Sequence, residues 1–153
     1  MEETYKSLEE ILEKLKRFHE RMSALFSDIK SRRHNERVRY ILQYLGDNER
    51  NNRNWIAEYL SEIDTHSKKI WLQFLPDNSV LFSKHDLSSM SIENEDDVKA
   101  LVMSSYRKII DYLNSLCSVV DNEKVQEVGE TLKNRFEQQL KKIISATEQF
   151  EDM

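Results

Sequence analysis

The residues of this chain best placed to do chemistry are polar side chains standing where an apolar stripe should continue: His19, Glu49, Asn52, Tyr106 and Gln139. His19 interrupts the run Leu15, Phe18, Met22. Glu49 and Asn52 fill the gap between Leu45 and Ile56, Ser105 or Tyr106 falls between Val102 and Ile109, and Gln139 neighbours Phe136 and Leu140. If the elements that carry them bring these residues to one level, Glu49 becomes a buried carboxylate. Such a group costs several kcal/mol unless it is paired or hydrogen-bonded, and His19, Asn52 or the Tyr106 hydroxyl are the expected partners. Two chemistries fit the set: a closed polar network, or a metal site built on His19 and Glu49.

Ligand chemistry weighs against the metal. Carboxylate-bridged iron in a helical bundle takes a Glu from each of two helices and Glu-x-x-His from the other two. Three positions before His19, His34, His66 and His85 stand Lys16, Ser31, Ile63 and Phe82, so the chain contains no Glu-x-x-His. His34, His66 and His85 fall at helix ends or in the long connection and read as surface imidazoles. No cofactor is expected; iron or manganese held by an unusual ligand set around His19 and Glu49 is the alternative. Cys117 follows Leu116 with no histidine beside it and reads as a small buried hydrophobe rather than a nucleophile. General acid or base work by Glu49 and His19 stays open, without a recognisable substrate pocket.

The elements that must position these residues are four long amphipathic helices. Apolar residues spaced by three and four mark helices at roughly 5–32, 36–64, 95–119 and 123–150. Asn35 is the expected N-cap of the second. Short joints make helices 1 and 2, and 3 and 4, antiparallel neighbours, while a crossover at about 65–94 is long enough to run the length of the bundle. Within it, Ile70, Trp71, Phe74 and Leu75 suggest a short amphipathic helix with Trp71 covering the core, followed by an extended stretch from Ser79 to Phe82. The fold class is all-α, in a single domain spanning 1–153.

Composition narrows the function. With 2 Gly and 1 Pro in 153 residues the chain has no glycine-rich phosphate cradle. Gly46 and Gly129 fall inside helices 2 and 4, and Gly46 is expected to permit a close approach near the polar layer. The net charge of −5 is spread in both signs, and the basic stretch from Lys30 to Arg39 sits at a helix junction, so nucleic acid is not an expected partner. A charged content of 33%, a charged N-terminus and one cysteine point to a soluble cytoplasmic protein without membrane insertion.

A shift of 87 residues superposes the two halves. It lays Asn35-Glu36-Arg37-Val38 on Asn122-Glu123-Lys124-Val125 and pairs Ile11 with Val98, Met22 with Ile109, Leu45 with Leu132 and Ile56 with Ile143. Two helical hairpins of one design are implied.

The stretches Phe18-His19-Glu20-Arg21-Met22-Ser23-Ala24-Leu25-Phe26 and Asn35 to Glu49, with the tail Thr147 to Met153, resemble the ferritin-like superfamily, in particular the small rubrerythrin-like bundles. The resemblance spans roughly 8–64 and 95–153. It implies a four-helix bundle of two hairpins in which the first helix of each gives a Glu and the second a Glu-x-x-His. Carried over by helical phase, those positions fall on His19, Glu49 and Asn52 in the first hairpin and on Tyr106, Phe136 and Gln139 in the second. One of six, Glu49, keeps its type. The resemblance therefore implies the fold with a degenerate metal site, and argues against di-iron oxidation, iron storage and peroxide reduction. The expected function is a non-catalytic structural or interaction module, a homodimer or a complex with another protein, with Trp55, Trp71 and Phe74 as anchors. The alternatives are a metal-dependent oxidoreductase and a small-ligand-binding bundle with its pocket between the crossover and helices 2 and 3.

Overall fold

A computed structural model describes residues 6–32, 35–72 and 94–151. Four helices account for most of them: α1 (Leu8–Ser31), α2 (Glu36–Glu62), α4 (Glu95–Val119) and α5 (Glu123–Glu151). A single helical turn, α3 (Thr65–Lys68), follows α2, and two short strands, β1 (Lys6–Ser7) and β2 (Trp71–Leu72), pair antiparallel. The described residues are thus all-α with one minimal ladder.

Each helix starts at a side chain that accepts from otherwise unpaired backbone N–H groups. Asn35 Oδ1 accepts from Arg37 and Val38 at 2.9 and 3.3 Å; Asn122 Oδ1 accepts from Lys124 and Val125 at 3.0 and 3.1 Å. The shared Asn-Glu-basic-Val step is therefore the cap of the second helix in each hairpin. The same 87-residue shift also places Ser7, which caps α1 by accepting from Glu10, on Asn94, which caps α4 by accepting from Asp97. Caps at matching positions make the repeat a feature of backbone termination as well as of polarity.

Within the first hairpin, Lys30 bonds Gln43, the Ser23 hydroxyl donates to the Gly46 carbonyl, and Glu20 pairs with Arg53, so partners move up α2 as they move down α1. In the second, Gln126 reaches the carbonyls of Cys117 and Val120 while Phe136 meets Tyr106. Both helix pairs are antiparallel. Arg37, in the first turn of α2, pairs with Glu95, in the first turn of α4, at 3.3 Å. The two N-termini are neighbours, so the start of α4 lies a full helix length from the end of α2 at Glu62. With 27 residues in α2, that is about 40 Å at 1.5 Å per residue. This explains why the crossover is long.

The apolar stripes meet in one core from Leu8 to Ile143, Tyr106 being its largest fully buried side chain. Five expectations require correction. Helix 1 begins at Leu8 rather than 5, because Lys6 and Ser7 pair with Leu72 and Trp71 and the Leu8 N–H donates to the Ile70 carbonyl. The helical turn of the crossover lies at Thr65–Lys68, started by Asp64 accepting from the Ser67 N–H, and Trp71 and Leu72 are extended. Consequently Leu72 faces the core and Trp71, on the opposite face of the strand, is 64% exposed rather than covering it. Among the described residues Gly46 makes no close approach: a Cβ there would meet Phe26 Cβ at 3.9 Å, an ordinary contact. The tight glycine is Gly129, where a Cβ would lie 2.5 Å from Cys117 Sγ, and Cys117 is half-buried rather than buried. The helix end at Phe74 and Leu75, and the extended stretch at Ser79 to Phe82, lie outside the described residues, as do His34 and His85. His66 is exposed.

Candidate functional site: a buried polar layer

Four of the five singled-out residues converge at mid-bundle. His19 on α1 hydrogen-bonds through Nδ1 to Glu49 Oε2 on α2. The Tyr106 hydroxyl on α4 donates to Glu49 Oε1 at 2.7 Å, and Asn52 Nδ2 donates to the Tyr106 oxygen at 3.1 Å. His19, Glu49, Asn52 and Tyr106 are all essentially excluded from solvent. Gln139 on α5 is half-buried; it lines a small cavity beside His19 and Asn52, and no hydrogen bond joins it to the other four.

The spacing of each residue explains its convergence. Glu49 and Asn52 are three apart and share one face of α2, and Leu45 and Ile56, seated in the core on the same stripe, hold that face inward. Tyr106 is kept in register by Val102 and Ile109, and His19 by Leu15 and Met22, all buried.

A fifth member escaped the sequence reading. Arg135 on α5 donates from Nη2 to Asn52 Oδ1 at 3.1 Å and lies over the Trp55 ring, 4.5 Å from its centroid, while Trp55 stacks on Tyr59. A charged residue beside a core Phe reads as solvent-facing. The signal that could have found it is the spacing of Arg135 and Gln139, four apart on one face, opposite Asn52 and Trp55, three apart on α2.

The directions of these bonds are consistent. Arg135 donates to Asn52, Asn52 to Tyr106, and Tyr106 to Glu49, while His19 donates from the other side, so the Glu49 carboxylate is the terminal acceptor of the whole relay. Both of its oxygens are engaged, which is what a buried carboxylate requires. Burial first, then the Glu49 charge and its hydrogen bond, hold the Tyr106 hydroxyl well above its ordinary pKa, so it remains a donor. Burial pushes the Arg135 pKa down from its ordinary value.

The six positions that the ferritin-like resemblance singles out, His19, Glu49, Asn52, Tyr106, Phe136 and Gln139, hold one imidazole, one carboxylate, two amides, a phenol and a phenyl ring. Phe136 lies flat against the His19 ring, centroids 5.3 Å apart and planes 13° from parallel, and meets Tyr106 edge to face. A guanidinium also reaches the layer. This donor set does not fit two carboxylate-bridged metal ions, and among the described residues no three His, Cys, Asp or Glu side chains gather. Among the described residues the cavity touching His19 measures about 10 Å³, the space of roughly one water. The pocket expected between the crossover and helices 2 and 3 involves residues outside those described.

Fold and layer together define a class: a bundle of two helical hairpins closed around one buried carboxylate. No family model, curated protein or solved structure matches the chain. Among the described residues no helix is long and apolar enough to cross a membrane.

Proposed function

We propose that this chain is a non-catalytic bundle of the ferritin-like kind, in which a di-metal site has been replaced by a hydrogen-bonded network, and that it acts by associating with itself or with another protein. The observation that carries this reading is the state of Glu49. It is the one position that keeps its expected ligand type, and both of its oxygens are taken up by His19 and Tyr106. The stacking of Phe136 on His19 supports it further, since a ring occupies the position of the second hairpin's carboxylate. The exposed Trp71 is an aromatic anchor of the kind that association buries, whereas Trp55 is engaged within the chain by Arg135 and Tyr59.

Two measurements test the two halves of the reading. Elemental analysis of the chain purified from iron- and manganese-supplemented culture is expected to give far less than one metal per chain; a stoichiometric metal would overturn the loss of the metal site and favour the oxidoreductase reading with its ligand set around His19 and Glu49. Light scattering at micromolar concentration is expected to give a dimer, weakened by Trp71→Ala. A strict monomer that also captures no protein would leave the association half without support.

A further inference from the structure

Arg135 presents a fork of donors that is half used. In a guanidinium, the Nε and Nη2 N–H groups lie along one edge, the pair that a carboxylate takes together. Here Nη2 is bonded to Asn52 Oδ1, while Nε is buried and has no acceptor among the described residues. Trp55 covers one face of the cation. No carboxylate among the described residues forms an ion pair with it; Glu49 is separated from it by Asn52 and Tyr106. A partly buried cation with a spare N–H is costly unless something accepts from it.

The same side chain lines the small cavity at the α2–α5 seam, together with His19, Asn52, Trp55, Phe136 and Gln139. At about 10 Å³ it admits a single atom of about water's size and is far too small to enclose a tetrahedral sulfate or phosphate. Charge, an unused donor and size select one ligand chemistry. We infer that this cavity binds a small monoanion, a halide or one oxygen of a one-carbon carboxylate, seated on the Arg135 Nε–H with the Gln139 amide beside it. The site is independent of whether the bundle associates and of what the Glu49 network replaced.

Trp55 reports on the site directly. In the full chain carrying Trp71→Phe, Trp55 is the remaining tryptophan, and its emission can be followed during titration with sodium chloride, sodium formate or, at matched ionic strength, sodium sulfate. Chloride and formate are expected to give a saturable change at millimolar concentration, and sulfate none. Arg135→Gln is expected to abolish that change, and Arg135→Lys, which keeps the charge but has no Nε–H, to weaken it about tenfold, the loss of one charge-assisted hydrogen bond. If Arg135→Gln fails to fold, as judged by circular dichroism, the Arg135→Lys comparison decides. A response common to all three salts, or one unchanged in Arg135→Lys and Arg135→Gln, would mean that the cavity takes water alone and would overturn the proposal.

Discussion

His19 and Phe136 stack face to face across the two hairpins, and the 87-residue shift makes Phe136 the counterpart of Glu49 and Tyr106 the counterpart of His19. The hydrogen-bonded pair His19 and Glu49 in the first hairpin thus corresponds to an edge-to-face aromatic pair in the second, Tyr106 and Phe136, with ring centroids 5.4 Å apart. The asymmetry has an electrostatic logic. Two carboxylates at this depth would repel unless cations lay between them, whereas one carboxylate is satisfied by the donors that the remaining positions supply.

Tyr106 is the hinge of that arrangement, because it accepts from Asn52 and donates to Glu49. Tyr106→Phe keeps the ring and its packing but strips a donor from a buried carboxylate and an acceptor from a buried amide. A loss of about 1.5–3 kcal/mol is expected by urea denaturation, the range for hydrogen bonds to charged groups. Combined with Glu49→Leu, the loss should be clearly less than additive, since the second substitution removes the group the first left unsatisfied. Additive losses would mean that the two residues do not act as one network.

The same hydroxyl sets a response to alkali. Its folded pKa is raised well above the ordinary value, by burial before all else. Its contribution to stability is therefore fully present below the unfolded phenol value of about 10 and is lost as pH rises through that value toward the folded one. The difference in stability between the parent chain and Tyr106→Phe should shrink above about pH 10 by roughly 1.4 kcal/mol per unit. Tyr44, whose pKa burial also raises, is common to both proteins and cancels. Parallel stability curves across that range would show that the Tyr106 hydroxyl is not held protonated.

Much of this layer was legible in the sequence because it interrupts a regular pattern: a polar residue in an apolar stripe is both conspicuous and, once buried, obliged to find a partner. His19, Glu49, Asn52 and Tyr106 follow from that rule. Arg135 does not, because its phase is shared with solvent-facing positions and its burial depends on Trp55 from another helix. The ladder of Lys6–Ser7 with Trp71–Leu72 is too short to leave a period, and it turned Trp71 outward where a helical reading turned it inward. Helix starts were legible at Asn35 and Asn122, whereas Ser7 is one hydroxyl among many and is marked as a cap only by its place 87 residues before Asn94.

The repeat itself makes a quantitative prediction at the caps. Asn35 and Asn122 each accept from two backbone N–H groups at equivalent positions. Asn35→Ala and Asn122→Ala should each lower stability by about 1 kcal/mol, and the corresponding Gly variants by only a few tenths. Thermal or urea denaturation of the four variants tests this. A silent Ala variant at one site would mean that the hairpin start there is held by something other than its cap.

The two glycines separate a helix-propensity effect from a packing effect. Both lie inside helices, where Ala is favoured over Gly by about 1 kcal/mol. Gly46→Ala has room beside Phe26 and should raise stability by up to that amount. Gly129→Ala instead forces Cys117 Sγ out of a 2.5 Å overlap, by turning the thiol or by parting α4 from α5. Overpacking of this kind costs about 1–3 kcal/mol, so the net change should be a loss. Adding Cys117→Ala removes the sulfur and should recover most of that loss, a coupling that urea denaturation of the three variants would measure. If Gly129→Ala alone stabilised the chain as much as Gly46→Ala, the thiol would be turning aside freely, and the close seam between α4 and α5 would not depend on the missing Cβ.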